Sequence, residues 1–210
     1  MPPDTLGLVH RFEPGPGPAR PLLLLHGTGG DETDLLPLGR AVAPAAALLS
    51  PRGAVLENGM PRFFRRLAEG VFDEADLRRR ARDLADFIAG ARERYGLPAP
   101  LALGFSNGAN IAAALLLLSP GSLAGAALLR PMVPFRETPA ADLAGTPVLI
   151  LSGRADPIVP EAQAERLARD LAAAGAGVDH AVLPAGHGLT GADVERVRDW
   201  LAARPPSPAG

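Results

Sequence analysis

Short apolar runs alternate along this chain with longer stretches in which apolar residues return every three or four positions. The runs near 6–12, 21–26, 46–50, 100–105, 124–129, 146–152 and 178–183 predict β-strands. The helical spacing predicts α-helices near 33–42, 76–95, 107–118, 160–174 and 190–203. In the helix at 76–95, Leu77, Ala81, Leu84, Ala85, Ile88, Ala91 and Tyr95 form one stripe. Arg78, Arg79, Arg82, Asp86 and Glu93 lie opposite, and this arginine cluster reads as a solvated face. Alternation of this kind predicts an α/β fold, a mostly parallel central sheet with helices on both faces.

Composition narrows the classes. The chain has 210 residues, 47% of them hydrophobic, and no composition shift marks an internal boundary, so one domain spanning 1–210 is expected, with 204–210 a disordered tail. A net charge of −2 gives no electrostatic reason to expect nucleic acid or a membrane as partner. Zero cysteines exclude disulfides and thiolate metal sites, and no charged-then-apolar leader is visible, so the cytoplasm is expected. Leu115–Leu118 is too short to span a bilayer and belongs to a buried helix.

The candidate chemistry starts at Leu101–Asn110, an apolar run that breaks into Gly104-Phe105-Ser106-Asn107-Gly108 before an alanine- and leucine-rich segment. A G-x-S-x-G between strand and helix places a serine hydroxyl at the tip of a strained turn, which makes Ser106 the candidate nucleophile. Chance alone supplies ~0.08 copies of the pattern at this composition, so its surroundings must carry the assignment. The partners should follow in the order acid, then histidine, because successive parallel strands deliver them to one sheet edge. His187 lies in a glycine-flanked loop just beyond the strand at 178–183, whereas His180 lies within that strand. His187 is therefore the candidate general base.

Asp156 sits in the turn after the strand at 146–152, where the acid belongs. An Asp-Pro turn without catalytic meaning reads equally well there. The rivals Asp142, Asp170 and Asp179 precede a strand, fall in a helix and begin a strand. Near the amino terminus, Pro21–Leu25 runs into His26-Gly-Thr-Gly-Gly-Asp31, a glycine-rich backbone able to present an oxyanion donor. Thr28 and Asn107 are assigned as the two N–H donors, and His26 as a structural residue bonding across the loop. The loop lacks the spacing of a phosphate-binding motif.

The stretch 52–73 carries Phe63, Phe64 and Phe72 and reads as a flap over the site. Met60, Phe63, Phe64 and Met132 are the candidate substrate contacts of a small apolar pocket, although phenylalanines there serve equally well to pack the flap onto the core.

The blocks at 22–32, 104–110, 152–160 and 186–188 resemble, in sequence order, those of the α/β-hydrolase superfamily and more narrowly the bacterial phospholipase/carboxylesterase family. Carried over, the resemblance makes Ser106, Asp156 and His187 the triad. Asn107 stands where the acyl-protein thioesterases of the family usually have glutamine. In this the chain resembles instead small carboxylesterase-like hydrolases associated with aromatic or hydroquinone breakdown. The function expected is cofactor-free and metal-free cleavage of small or aromatic carboxylic esters, with a homodimer left open. The alternatives are a long-chain thioesterase or lysophospholipase, and a non-enzymatic ligand receptor on the same fold.

Overall fold

The computed structural model describes residues 6–17 and 19–204. In chain order these form β1 (His10–Glu13), β2 (Ala19–Leu25), α1 (Leu36–Val42), β3 (Ala46–Pro51), β4 (Val55–Glu57), β5 (Met60–Arg62), β6 (Arg66–Ala68) and β7 (Val71–Phe72). There follow α2 (Glu74–Tyr95), β8 (Leu101–Phe105), α3 (Asn107–Leu118), β9 (Gly125–Leu129), β10 (Pro147–Gly153), α4 (Glu161–Ala173), β11 (Gly177–Leu183) and α5 (Gly191–Ala202).

Seven strands make the central sheet, ordered β1-β3-β2-β8-β9-β10-β11. Only β1, on the edge, pairs antiparallel. The runs of consecutive apolar residues follow from burial on both faces. Leu23, Leu25, Leu128 and Ile150 join a core beneath α2, α3 and α4. Leu22, Leu24, Leu129 and Leu151 join the opposite core, with Leu36 and Val42 of α1 and Val197 and Trp200 of α5. Helix α3 is buried all round, which is why its sequence shows no polar face.

Expected and observed elements agree closely, with two departures. The first strand starts at His10, because Leu6–Leu8 are spent in a turn and bend. The expected flap is not a loop. It folds into two hairpins, β4–β5 and β6–β7, the first closed by Asn58 and Gly59, both with positive φ as its tight turn requires. Nor is the arginine face of α2 simply solvated. Arg79 and Arg80 pair with Asp76, which is 2% exposed, and the Arg78 guanidinium lies 4.4 Å from the Phe135 ring centroid. Of the expected tail, Arg204 is described and stacks over Trp200 at 3.9 Å, while 205–210 lie outside the described residues.

Strand β2 has β3 on one side and β8 on the other, so the chain reverses its direction of travel across the sheet there. The loops that leave β2 and β8 therefore part at their carboxyl ends and open a crevice. Among the described residues no helix is long and apolar enough to cross a membrane.

Candidate active site

Ser106 occupies the turn between β8 and α3 at φ 52°, ψ −113°, a strained conformation held by the packing around it. Its N–H donates to the Leu129 carbonyl at 2.8 Å. The flanking glycines are dictated by close approach. A Cβ on Gly108 would lie 1.9 Å from the Leu25 carbonyl oxygen, and one on Gly104 2.6 Å from that of Gly108. The elbow can form only where α3 packs its first turn directly on β2 and β8.

The three side chains expected to converge do so from three strand ends. His187 Nε2 lies 3.0 Å from Ser106 Oγ, and His187 Nδ1 lies 2.9 Å from Asp156 Oδ2. Opposite a carboxylate, Nδ1 carries the proton, which leaves Nε2 to accept from the serine hydroxyl. Asp156 also makes the bland turn weighed against it, since its Oδ1 accepts from the Ile158 and Val159 N–H groups at 2.8 and 3.0 Å. Burial pushes its carboxyl pKa up, but those two N–H groups and His187 outweigh it and hold the group below the usual carboxylate range. The arrangement can take a proton from a serine oxygen and keep the resulting imidazolium beside an anion.

The rival histidines are engaged elsewhere. His180 Nε2 lies 2.9 Å from Ser152 Oγ on the neighbouring strand. His26 Nε2 accepts from Gly53 N–H at 2.9 Å, a bond across to the loop after β3, so its Nδ1 donates to the adjacent Gly27 carbonyl at 2.6 Å. A ring that accepts at Nε2 and donates at Nδ1 is neutral, and burial lowers its pKa in the same sense, with the Gly27 carbonyl and nearby acids opposing.

The backbone N–H groups of Thr28 and Asn107 have no partner among the described residues, and Asn107 opens α3, where unpaired N–H groups favour an anion. Both residues line a cavity of about 40 Å³ that also touches Ser106, Arg62, Asn110, Met132 and Val159. A larger cavity, about 410 Å³, lies among Ala19, Leu22, Leu101 and Arg198, at the amino ends of β2 and β8 and away from Ser106.

Met132, expected at the wall, is in that lining. Phe63 and Phe64 are not: at 3% and 0% exposure they pack in the core beneath α2 and α3, because the hairpins fold their aromatic rings inward. Met60 is 41% exposed and lies against Gly29, outside the cavity. The pocket is not simply apolar, since Arg62 and Arg66 reach it.

Sequence reasoning missed Arg130. It is fully buried, at φ 55°, and its five donors are all used. Nε donates to the Gly186 carbonyl at 2.9 Å and Nη2 to that of Gly188 at 3.3 Å, one on each side of His187. Nη1 reaches the Leu151 carbonyl, and the guanidinium grips Asp193 by two bonds of 2.8 and 3.0 Å. Asp193 in turn accepts from the N–H and hydroxyl of Thr190 at the start of α5. The histidine loop is thus clamped between a guanidinium and a helix cap. A charged residue closing the apolar run Leu128-Leu129 was the available signal.

Comparison with known proteins shows the family and the fold. The sequence profile described as phospholipase/carboxylesterase matches residues 13–204. MhqD of Bacillus subtilis (strain 168), named as a hydrolase, is 51% identical over 181 residues, covering 85% of this chain and 90% of that protein. The crystal structure of a Bacillus cereus carboxylesterase superposes with a TM-score of 0.92 at 48% identity, covering 94% of this chain and 95% of that one. A Mesorhizobium loti carboxylesterase gives 0.86 at 38% identity, covering 90% and 91%.

Proposed function

Because this chain belongs to the phospholipase/carboxylesterase family and is a carboxylesterase-like hydrolase of the α/β-hydrolase fold, we propose that it cleaves small carboxylic esters through a covalent acyl-enzyme on Ser106. His187 removes the hydroxyl proton as Ser106 attacks the ester carbonyl, then returns it to the departing alcohol. Asp156 holds the imidazole in the required tautomer and balances its transient charge. The N–H groups of Thr28 and Asn107 donate to the oxyanion. Water, activated by the same histidine, then releases the acid and regenerates the serine.

The observation that carries this reading is the continuous chain of bonds Asp156–His187–Ser106 beside two N–H groups that have no partner among the described residues. The small cavity supports short substrates over long acyl chains, and no nucleic-acid or membrane partner is invoked. The test is labelling with a fluorophosphonate and mapping of the modified peptide, with Ser106→Ala as its control. Label on Ser106 and a loss of roughly 10⁴-fold or more in short-ester hydrolysis by the variant are expected. Label on another residue, or an active variant, overturns the assignment.

A further inference from the structure

The cavity beside Ser106 holds more hydrogen-bond donors than ester cleavage uses. Asn107 and Asn110 each commit the side-chain oxygen to a backbone N–H, that of Phe63 at 2.8 Å and that of Met132 at 2.7 Å. A backbone N–H can only donate, so the orientation of both amides is fixed and each NH₂ group is turned away from the bond. Neither NH₂ has an acceptor among the described residues, and that of Asn107 is fully shielded as well.

Arg62 adds a third unused donor. Its Nε donates to the Phe64 carbonyl, and its Nη1 to the Thr28 hydroxyl at 2.7 Å and to Glu57 at 3.4 Å. No acceptor faces Nη2 among the described residues. The side chain is only 4% exposed and lines the same cavity. Neighbouring carboxylates relieve it only in part, because Glu57, 3.4 Å from Nη1, lies nearer Arg66, at 3.0 Å, and Glu69 is held by Arg66. Burial accordingly lowers the Arg62 pKa below the usual guanidinium value.

Donors on residues lining a cavity, without acceptors among the described residues, favour any ligand that brings an acceptor to them. We propose that the substrate carries an acceptor oxygen besides its scissile ester, a hydroxyl, carbonyl or carboxylate, to which Arg62 Nη2 and Asn110 Nδ2 donate. The proposal rests on the ester-hydrolase reading and narrows its substrate class. The carbon skeleton lies against Phe72, Met132, Ile158 and Val159, which supply the apolar part of the lining.

Two matched series test it, one varied in the acyl half (methyl butyrate, methyl 3-hydroxybutyrate, monomethyl succinate) and one in the alcohol half (ethyl acetate, 2-hydroxyethyl acetate). In at least one series kcat/KM for an oxygen-bearing ester should exceed that of its alkyl partner about tenfold or more. The hydroxy and carboxylate members distinguish a neutral from an anionic acceptor. Arg62→Met and Asn110→Asp should bring the ratio near one. Asn110→Asp keeps the oxygen for Met132 N–H and replaces the free donor by an acceptor. The ratio does not depend on how much of a variant folds, since both esters are read on the same preparation. Equal kcat/KM throughout both wild-type series, or a ratio untouched in both variants, overturns the proposal. If no ester is cleaved and Ser106 resists the fluorophosphonate, the underlying reading of the site falls and takes the proposal with it.

Discussion

Replacing Arg130 by Met should destabilise the protein by about 3–5 kcal/mol, the usual cost of stranding one member of a buried ion pair. Asp193 is 1% exposed and would keep only its two bonds from Thr190, while the carbonyls of Leu151, Gly186 and Gly188 would lose a donor. For a chain of 210 residues, at about 2–4 °C per kcal/mol, the melting temperature should fall by ~6–20 °C. Urea unfolding followed by tryptophan fluorescence measures the loss directly, since Trp200 lies on α5. Asp193→Ala supplies the internal control. In the Arg130→Met background it should cost less than in wild type, because there it removes a stranded charge, whereas in wild type it strands the buried Arg130 guanidinium. A loss below about 1 kcal/mol for Arg130→Met, or equal costs of Asp193→Ala in the two backgrounds, would refute the reasoning. Ester hydrolysis measured where the variant is fully folded should show a lower kcat, as the carbonyls on either side of His187 are no longer held.

Asp156→Asn should lower kcat by about 10²–10⁴ and His187→Ala at least as much, with the double variant falling little further; additive losses in a steady-state ester assay would show that the two do not act together. Gly108→Ala should abolish soluble expression or cost several kcal/mol in a urea melt, because the new Cβ meets the Leu25 carbonyl at 1.9 Å. Neutral His26, its pKa lowered by burial, makes the unfolded chain take up one more proton than the native one as pH falls below about 6.5. Its stability contribution is complete above that pH and declines below it by at most about 1.4 kcal/mol per unit, a slope that His26→Asn should flatten in melts between pH 7 and 5. Met132→Ala should shift the optimum acyl length upward in a series of two- to sixteen-carbon esters, and a wild-type optimum at sixteen carbons would sink the small-pocket reading.

What the sequence makes legible follows from how local each signal is. Consecutive apolar runs and 3.6-residue patterns persist over whole elements, so the sheet strands and helices from β2 onward can be read with few errors, as can the loops that bring Ser106, Asp156 and His187 to one edge. Strands β4 to β7 hold only two or three residues each, too few for alternation to show, although Asn58-Gly59 marks the first turn. Phe63 and Phe64 are ambiguous because an aromatic ring in a polar stretch suits a wall and a core equally. Arg130 and Asp193 are separated by 63 residues, and nothing local to either betrays the other.

The two hairpins over the cavity are tied down by main-chain amides. Phe63 N–H reaches Asn107, Arg65 N–H reaches Asp76, Gly53 N–H reaches His26, and Gly29 N–H reaches the Pro61 carbonyl. These anchors draw on the elbow, on α2 and on the loop after β2, so raising the cover would break contacts to three separate parts of the scaffold at once. Passage of ester in and alcohol out is then a matter of diffusion through a standing aperture. Turnover should be indifferent to solvent viscosity until encounter itself limits the rate, and lipid interfaces should bring no activation. The amides of Phe63 and Arg65 should exchange with deuterium as slowly as those of the central strands.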